Sequence, residues 1–573
     1  MKSIVSNNMK NLASLLILCV LFAGFTSCSS KDEQMVPTED GTVIKVGVKG
    51  IEEVISGNSS GTGLKMSSDE NKSLSQSSLV SLGSVDALID FEEGSMSQAD
   101  AFVKMRTNLS DTLGKKASSN GLKAVASSLM DNGVRFRLLI YDASQVLVVN
   151  QVISSGTDPQ IQVNANKAYT WYAISVNEKD ANVPDINGSG IVSRAGLENK
   201  DVLYAMGNIN TVAGENYLGI IFKRMTARVQ VKLNVRGLFA RIENSSSISL
   251  VKNSTNSTVL QMGDLNVMTG QFANIVDVNK AVVASSMVEE SGNPTGTVKI
   301  ASFFTLNTAP IAANSFKMKF NTLKVTLDDS RVRTFTPVTY TYPGAYTPTI
   351  GGTYGLNIRL IESPVKIKGV LWARSNLIYN ANETDRYRLK SNPGGSTPAT
   401  KDTEFWNWKS TTPTGVSANI DPCASVYPAG TWRMSTKQEW ESIGQPDDKQ
   451  EVLGLFWGAQ YAYKWKRDSD YPANPAYDDN DLTLSFGGFR TKPSAFGGGT
   501  TVSGSPGGIA LGAIAAGECH YWTSDNRDSN TAYAVKSAFT RFAWLFSWGN
   551  VSYPSLDKGE GRNIRCVRQI VNN

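Results

Sequence analysis

Apolar and polar residues alternate cleanly over residues 42–49. Ile44, Val46 and Val48 fall on one face, and Lys45, Gly47 and Lys49 on the other. Period-two alternation marks a half-buried strand. Residues 56–132 lose this pattern and are rich in Ser, Asn and Gly, which predicts a long flexible insertion. Within it, Asp86–Phe91 and Ala99–Met105 are candidates for short ordered pieces. So long a gap between a first strand and its sheet calls for a functional or linker explanation. Regular strands resume at Val134–Tyr141, Gln145–Val152 and Ala168–Val176. A second block opens on the alternation of Ala227–Val235 and closes through Phe316–Phe320, Leu323–Leu327 and Tyr354–Leu360. Turn residues every 8–12 positions complete a sandwich signature. The pattern predicts two β-sandwich units, 134–220 and 221–362, in a mainly β chain.

The first residues follow another rule. Lys2 and Lys10 precede an apolar run from Leu12 to Phe25, then small residues and Cys28. A basic start, a short apolar middle and a small-residue cleavage site predict a signal peptide over 1–27. The run is too short for a spanning helix, which needs ~20 residues. The cysteine at the cleavage point resembles a bacterial lipobox. That implies acylation of Cys28 and anchoring to the outer membrane through buried acyl chains, at ~0.8 kcal/mol per CH₂. Lys31, Asp32 and Glu33 resemble the export signal that carries Bacteroides-type lipoproteins to the cell surface. A merely charged tether within 28–133 is the alternative.

Net charge is +5 with no basic block, so nothing in the charge pattern points to nucleic acid. Tryptophan divides the chain. Only Trp171 lies before residue 370, and the other ten crowd into the last third. Each Trp buries roughly 150–250 Å², so two core designs meet near Ile361–Val365. Cys423, Cys519 and Cys566 remain beyond the N-terminal region and allow three single bridges. Cys423–Cys566 is the preferred pairing because both flank the segment read as one domain, 365–573.

Val134–Asp142 (VRFRLLIYD), Tyr169-Thr-Trp-Tyr-Ala173, Tyr217–Lys223 (YLGIIFK) running into Ala227–Leu233, and GGTYGLNIRL at 351–360 resemble, in order and spacing, the fimbrillins of type V pili. The resemblance covers roughly residues 40–362. It implies two transthyretin-like Greek-key sandwiches in a lipoprotein precursor. It also implies a trypsin-like cut after a basic residue, which removes the lipid with the first strand, here about 42–49. The opened groove then accepts a strand from another pilus subunit. Arg106, the only arginine between Cys28 and Arg135, is the leading cut site, with Lys65, Lys72, Lys115, Lys116 and Lys123 as competitors. The plain alternative for Arg106 is a solvated surface residue.

A second resemblance spans 365–569. GVLWARSNL at 369–377, YPAGTWRMSTKQEW at 427–440, LSFGGFRT at 484–491, HYWTSD at 520–525 and NIRCVRQ at 563–569 are similar to the major-paralogous (FISUMP) domain. That family implies an α+β fold related to C-type lectins. Thr436–Glu439 reads as a capping box starting a short helix. Such folds bind ligands in a long irregular loop. Asp468, Asp470, Asp478, Asp479 and Asp481 lie close together in one, beside Tyr471 and Tyr477. Calcium takes 6–8 oxygen ligands, but the spacing fits no EF-hand, so a calcium site and a solvated acidic loop both stand. Gln445-Pro446-Asp447 copies a galactose-lectin tripeptide in the wrong place and reads as coincidence.

The chemistry for an enzyme is thin. His520 is the only histidine, which excludes a zinc site built on a His cluster. It reads as a framework residue beside Tyr521 and Trp522, with ligand contact as the alternative. Gly57–Gly61 nominally matches a nucleophile elbow, yet lies in the Ser-rich insertion rather than between a strand and a helix. The resemblances together imply a non-enzymatic accessory pilus subunit with an adhesive C-terminal domain for glycan or protein. Its C-terminal strand, Ile564–Val567, belongs to a closed domain and would not be donated, which implies the tip. The alternative is a non-polymerising surface lipoprotein that binds glycan.

Overall fold

The structure is a computed structural model. It describes residues 41–52, 78–93, 127–179, 182–391, 403–452, 460–492, 501–503, 507–508, 514–542 and 546–569. The strands that position the site are β1 (Val43–Glu52), β2 (Ser78–Ser81), β3 (Asp86–Glu93), β4 (Ser127–Ser128), β5 (Val134–Asp142) and β6 (Leu147–Ser154). They continue with β7 (Gln160–Gln162), β8 (Ala168–Lys179), β9 (Ile191–Val192), β10 (Leu203–Asn210), β11 (Glu215–Arg224) and β12 (Ala227–Gly237).

The first sheet runs β4-β1-β11-β10-β8-β5-β6, with β7 added on β1. Its inward residues include Ile44 and Ile51 of β1, Phe136 and Leu138 of β5, Ile153 of β6, Ile161 of β7 and Phe222 of β11, all in one apolar cluster. Strands from β1 and β7 across to β6 thus feed one cluster. The second sheet carries β12 beside Thr353–Ile361 in parallel, then β3 and β2. It faces strands gathered on Phe316–Leu327 and shares a core of Val231, Leu233, Ile248, Leu250, Met318, Phe320, Leu356 and Ile358. The chain is mainly β throughout, as its alternation predicts.

Three sequence expectations need correction. The segment 56–132 is not simply an insertion: Ser78–Glu93 forms the β2–β3 hairpin and is built into the second sheet. Its Ser-rich flanks hide a run, Val85-Asp-Ala-Leu-Ile89, that is apolar on both faces apart from the aspartate, as suits a strand covered on both sides. The boundary at 220/221 cuts β11, and the chain changes sheet only at Met225–Thr226. Phe316–Phe320 and Leu323–Leu327 are one strand, with Asn321 bonding Ser249 Oγ at 2.7 Å where the register with Ser247–Lys252 shifts.

In the last third, Cys566–Arg568 lies between Val370–Trp372 and Trp432–Met434. The helix Lys437–Ile443 starts on a complete capping box of Thr436 and Glu439. Trp372, Trp406, Trp408, Trp432, Trp440, Trp465 and Trp522 are all buried, so these rings serve as core rather than as an exposed stacking surface. Cys423 is bonded to Cys566, and Cys519 is a buried thiol. The bridge closes a span of 143 residues. Reduction, or Cys423→Ser with Cys566→Ser, is expected to cost about 2–5 kcal/mol, read as a lower denaturation midpoint for the tryptophan fluorescence of this third.

Candidate functional site: the seat of the first strand

β1 lies parallel to β11 in continuous register from Val43 opposite Glu215 to Glu52 opposite Lys223, with one bulge between Val48 and Gly50. On its other side, among the described residues, its strand pairing is with β7 and β4. Residues 43–45 meet β7, and 51–52 meet β4. Ile44, Val46 and Ile51 are almost completely buried, at 0–3% exposure. At about 1.5–3 kcal/mol for each buried aliphatic side chain, the three contribute roughly 5–9 kcal/mol. Thr42 is buried too, and its carbonyl accepts the Val163 N–H at 3.0 Å.

β11 alternates without a fault. Asn216, Leu218, Ile220, Phe222 and Arg224 are buried, and Glu215, Tyr217, Ile221 and Lys223 are exposed. Without β1, its backbone N–H and C=O groups would stand at an open edge above Phe136, Leu218, Ile220 and Phe222. An edge of this kind templates an added strand: backbone bonds supply affinity, and alternate pockets supply register. The Arg224–Asp201 pair, bonded at 2.6 and 3.0 Å and buried, anchors the far end of β11. Lys45 and Glu215 pair across the rim at 2.8 Å, exposed enough to contribute little.

The carboxylates of the acidic loop are engaged with protein groups. Asp468 accepts the N–H groups of Lys368 and Gly369 at 2.5 and 2.8 Å, and Asp470 meets Lys366 at 2.7 Å. Asp478 meets Arg331 at 2.7 Å. Asp479 accepts the Asp481 N–H at 3.0 Å and the Thr483 hydroxyl, and Asp481 accepts the Arg467 N–H at 3.1 Å. The five carboxylates thus turn to different protein partners. Among the described residues no group of three or more His, Cys, Asp or Glu is arranged to hold a metal ion. Asp468, Asp470, Asp478, Asp479 and Asp481, read from sequence as either a calcium site or a solvated loop, act in this structure as a clasp. Its Tyr477 is buried between the guanidinium groups of Arg333 and Arg374, 4.4 and 4.2 Å from the ring centre, and packs on the second core. Its Asn474 donates to Ser84 O at 2.9 Å.

Cys28, Lys31, Asp32, Glu33 and Arg106 lie outside the described residues, as do Lys65, Lys72, Lys115, Lys116 and Lys123. Gln445 bonds both backbone groups of Val551, a purely structural use of that residue. His520 is buried, stacked on Phe489 at 4.4 Å, with Nε2 3.4 Å from Glu518. Asp86, Asp90 and Arg568, which join the hairpin to the rest of the chain, escaped the sequence reading. The pair of aspartates around Ala-Leu-Ile was the available signal.

Ile44→Ala is expected to cost about 2–5 kcal/mol, measured as a lower unfolding midpoint of the first sheet. Burial, then the nearby Arg562 guanidinium, pushes His520 down to about 4. The unfolded chain therefore takes up this proton first. The stability at stake is complete above about pH 6.5 and lost as pH falls towards 4, by up to about 3 kcal/mol. A His520→Gln variant should lack that share of the slope in melting temperature between pH 7 and 4.5.

No protein-family model matches the chain. No curated protein matches it. Among solved structures it is similar to a candidate cell adhesion protein from Bacteroides fragilis, 16% identical, TM-score 0.28, over 44% of this chain and 91% of that one. It is also similar to the fimbrial anchor protein Mfa2 from Porphyromonas gingivalis, 13% identical, TM-score 0.19, over 36% of this chain and 76% of the other. A fimbrial assembly protein from Parabacteroides distasonis is 8% identical, TM-score 0.21, over 39% of this chain and 83% of that one.

Proposed function

We propose that this protein is a cell-surface accessory subunit of a pilus, joined to its neighbour by replacement of β1, with the C-terminal third as an adhesive head. The observation that carries the reading is the seat of β1. A strand from the start of the chain buries three side chains in the core and covers the edge of β11 from end to end. A replacement strand needs only apolar residues at alternate positions and a free backbone. Lipid attachment at Cys28 and a cut after Arg106 or a competing lysine belong to this proposal. So does a binding rather than catalytic role, supported by the burial of His520 beneath Phe489. The tip position is supported by the Cys566–Arg568 strand. It is hydrogen-bonded on both sides and tied by the disulfide, so it is not a strand to give away.

A second reading has its own observation. β1 is also gripped by β7 and β4, and the hairpin that follows it is built into the second sheet. That integration favours a fixed lipoprotein that keeps β1 and binds glycan or protein at the surface. N-terminal sequencing with intact mass of protein from the native cell surface decides between them. A lipid-free chain starting after a basic residue between 49 and 123 is the outcome expected for the pilus subunit. An acylated Cys28 on a full-length chain overturns it in favour of the second reading.

A further inference from the structure

The β2–β3 hairpin occupies a seat made by two distant parts of the chain. β3 lies antiparallel to Thr353–Ile361, with Asp86 opposite Ile361 and Asp90 opposite Asn357. Successive side chains on a strand face opposite ways. Ala87 and Ile89 enter the second core, while Asp86, Leu88 and Asp90 share the other face. That face meets matched groups. Asp90 is held by Arg359 at 2.8 Å and by Asn357 at 2.7 Å. Asp86 is held at 3.1 Å by Arg568, which comes from the C-terminal third, is almost fully buried and lies 4.0 Å over the Trp432 ring. The same guanidinium donates to Glu362 O at 2.6 Å. A buried guanidinium that loses its carboxylate is strongly destabilising, so the seat asks for an acidic residue at this position.

The length of chain around the hairpin adds a second fact. Thirty-three residues, 94–126, separate β3 from β4, and twenty-five, 53–77, separate β1 from β2. Extended, such spans reach roughly 80–110 Å, more than the width of a domain. The hairpin can therefore reach the seat of a neighbouring molecule without breaking the chain. Exchange of an identical element between copies is a low-cost route to association.

We propose that the seat formed by Thr353–Ile361 and Arg568 is a charge-selective strand-binding site. Its partner from outside is the β2–β3 hairpin of a second copy of this chain. The site takes an extended segment with carboxylates four residues apart and an apolar residue between them on the same face. It does not require β1 to leave and concerns the uncut chain: a cut after Arg106 would release the β2–β3 hairpin together with β1, whereas a cut before Ser78 would leave it attached.

The test uses two full-length variants, Asp86→Arg and Arg568→Glu. Each places like charges in its own seat. In an exchanged heterodimer both seats are matched again. One then holds the native pair of Asp86 and Arg568, and the other holds the two substituted side chains, again of opposite charge. Mixed, or refolded together from denaturant, the variants should give a 1:1 heterodimer by native mass spectrometry, at least tenfold more abundant than either homodimer. The doubly exchanged chain, Asp86→Arg with Arg568→Glu, should fold as the wild type does. A mixture that stays monomeric while the doubly exchanged chain folds would overturn the proposal. Failure of the doubly exchanged chain to fold would overturn it as well, because charge pairing would then not be what the seat reads.

Discussion

A sheet edge above an apolar core presents a row of unpaired backbone groups, and in this chain residues from the first ninety-three positions cover such an edge twice. β1 closes on β11 in the first sheet, and β3 closes on Thr353–Ile361 in the second. The two sheets also share a device. β1 and β11 are parallel, and so are β12 and Thr353–Ile361, so each sheet holds a parallel pair whose strands are far apart in the chain. Parallel partners cannot be joined by a tight turn. Each unit is thus completed by residues far apart in sequence, and its integrity depends on a strand whose covalent link to the sheet is long.

The same constraint explains how the C-terminal third is held. Only Glu362–Pro364 lies between the closing strand of the second sheet and Val365–Ile367. Across that short join, Arg236 forks onto Asp385, at 3.0 and 2.8 Å, and Arg388 onto Asp328, at 2.9 and 2.7 Å. Arg333 pairs with Glu362 while stacking on Tyr477. Buried ion pairs often add little net stability, because desolvation offsets attraction. Their planar forks, however, accept only one geometry. The clasp of Tyr477 between two arginines adds apolar burial to that orientation. The acidic loop, the natural place to look for a ligand, is spent on this joint.

Much of the fold was legible because one face of most strands is wet. Period-two alternation located β1, β5, β8 and β12 to within a few residues, and the capping box located the helix at Thr436. The hairpin β2–β3 was only glimpsed. A strand covered on both sides loses its alternation, and its neighbours in sequence are polar. The role of Asp468, Asp470, Asp478, Asp479 and Asp481 was not legible either. A carboxylate's partner is decided by what folds against it, and Arg331 and Lys366 are set there by two other stretches of chain.

The order of residues was enough to dictate local conformation: strand periods, a helix start, a tryptophan-rich core joined to a tryptophan-poor one, and a first strand set far from its sheet. Those depend on residues close together in the chain, whose alternation and capping act within a few bonds. The parallel seat of the first strand on β11 emerges only from packing. So do the completion of another sheet by a second element from the same segment, and the supply by Arg568 of the charge this element needs. Edge pairing and buried charge compensation join groups hundreds of residues apart, and no local pattern carries that information.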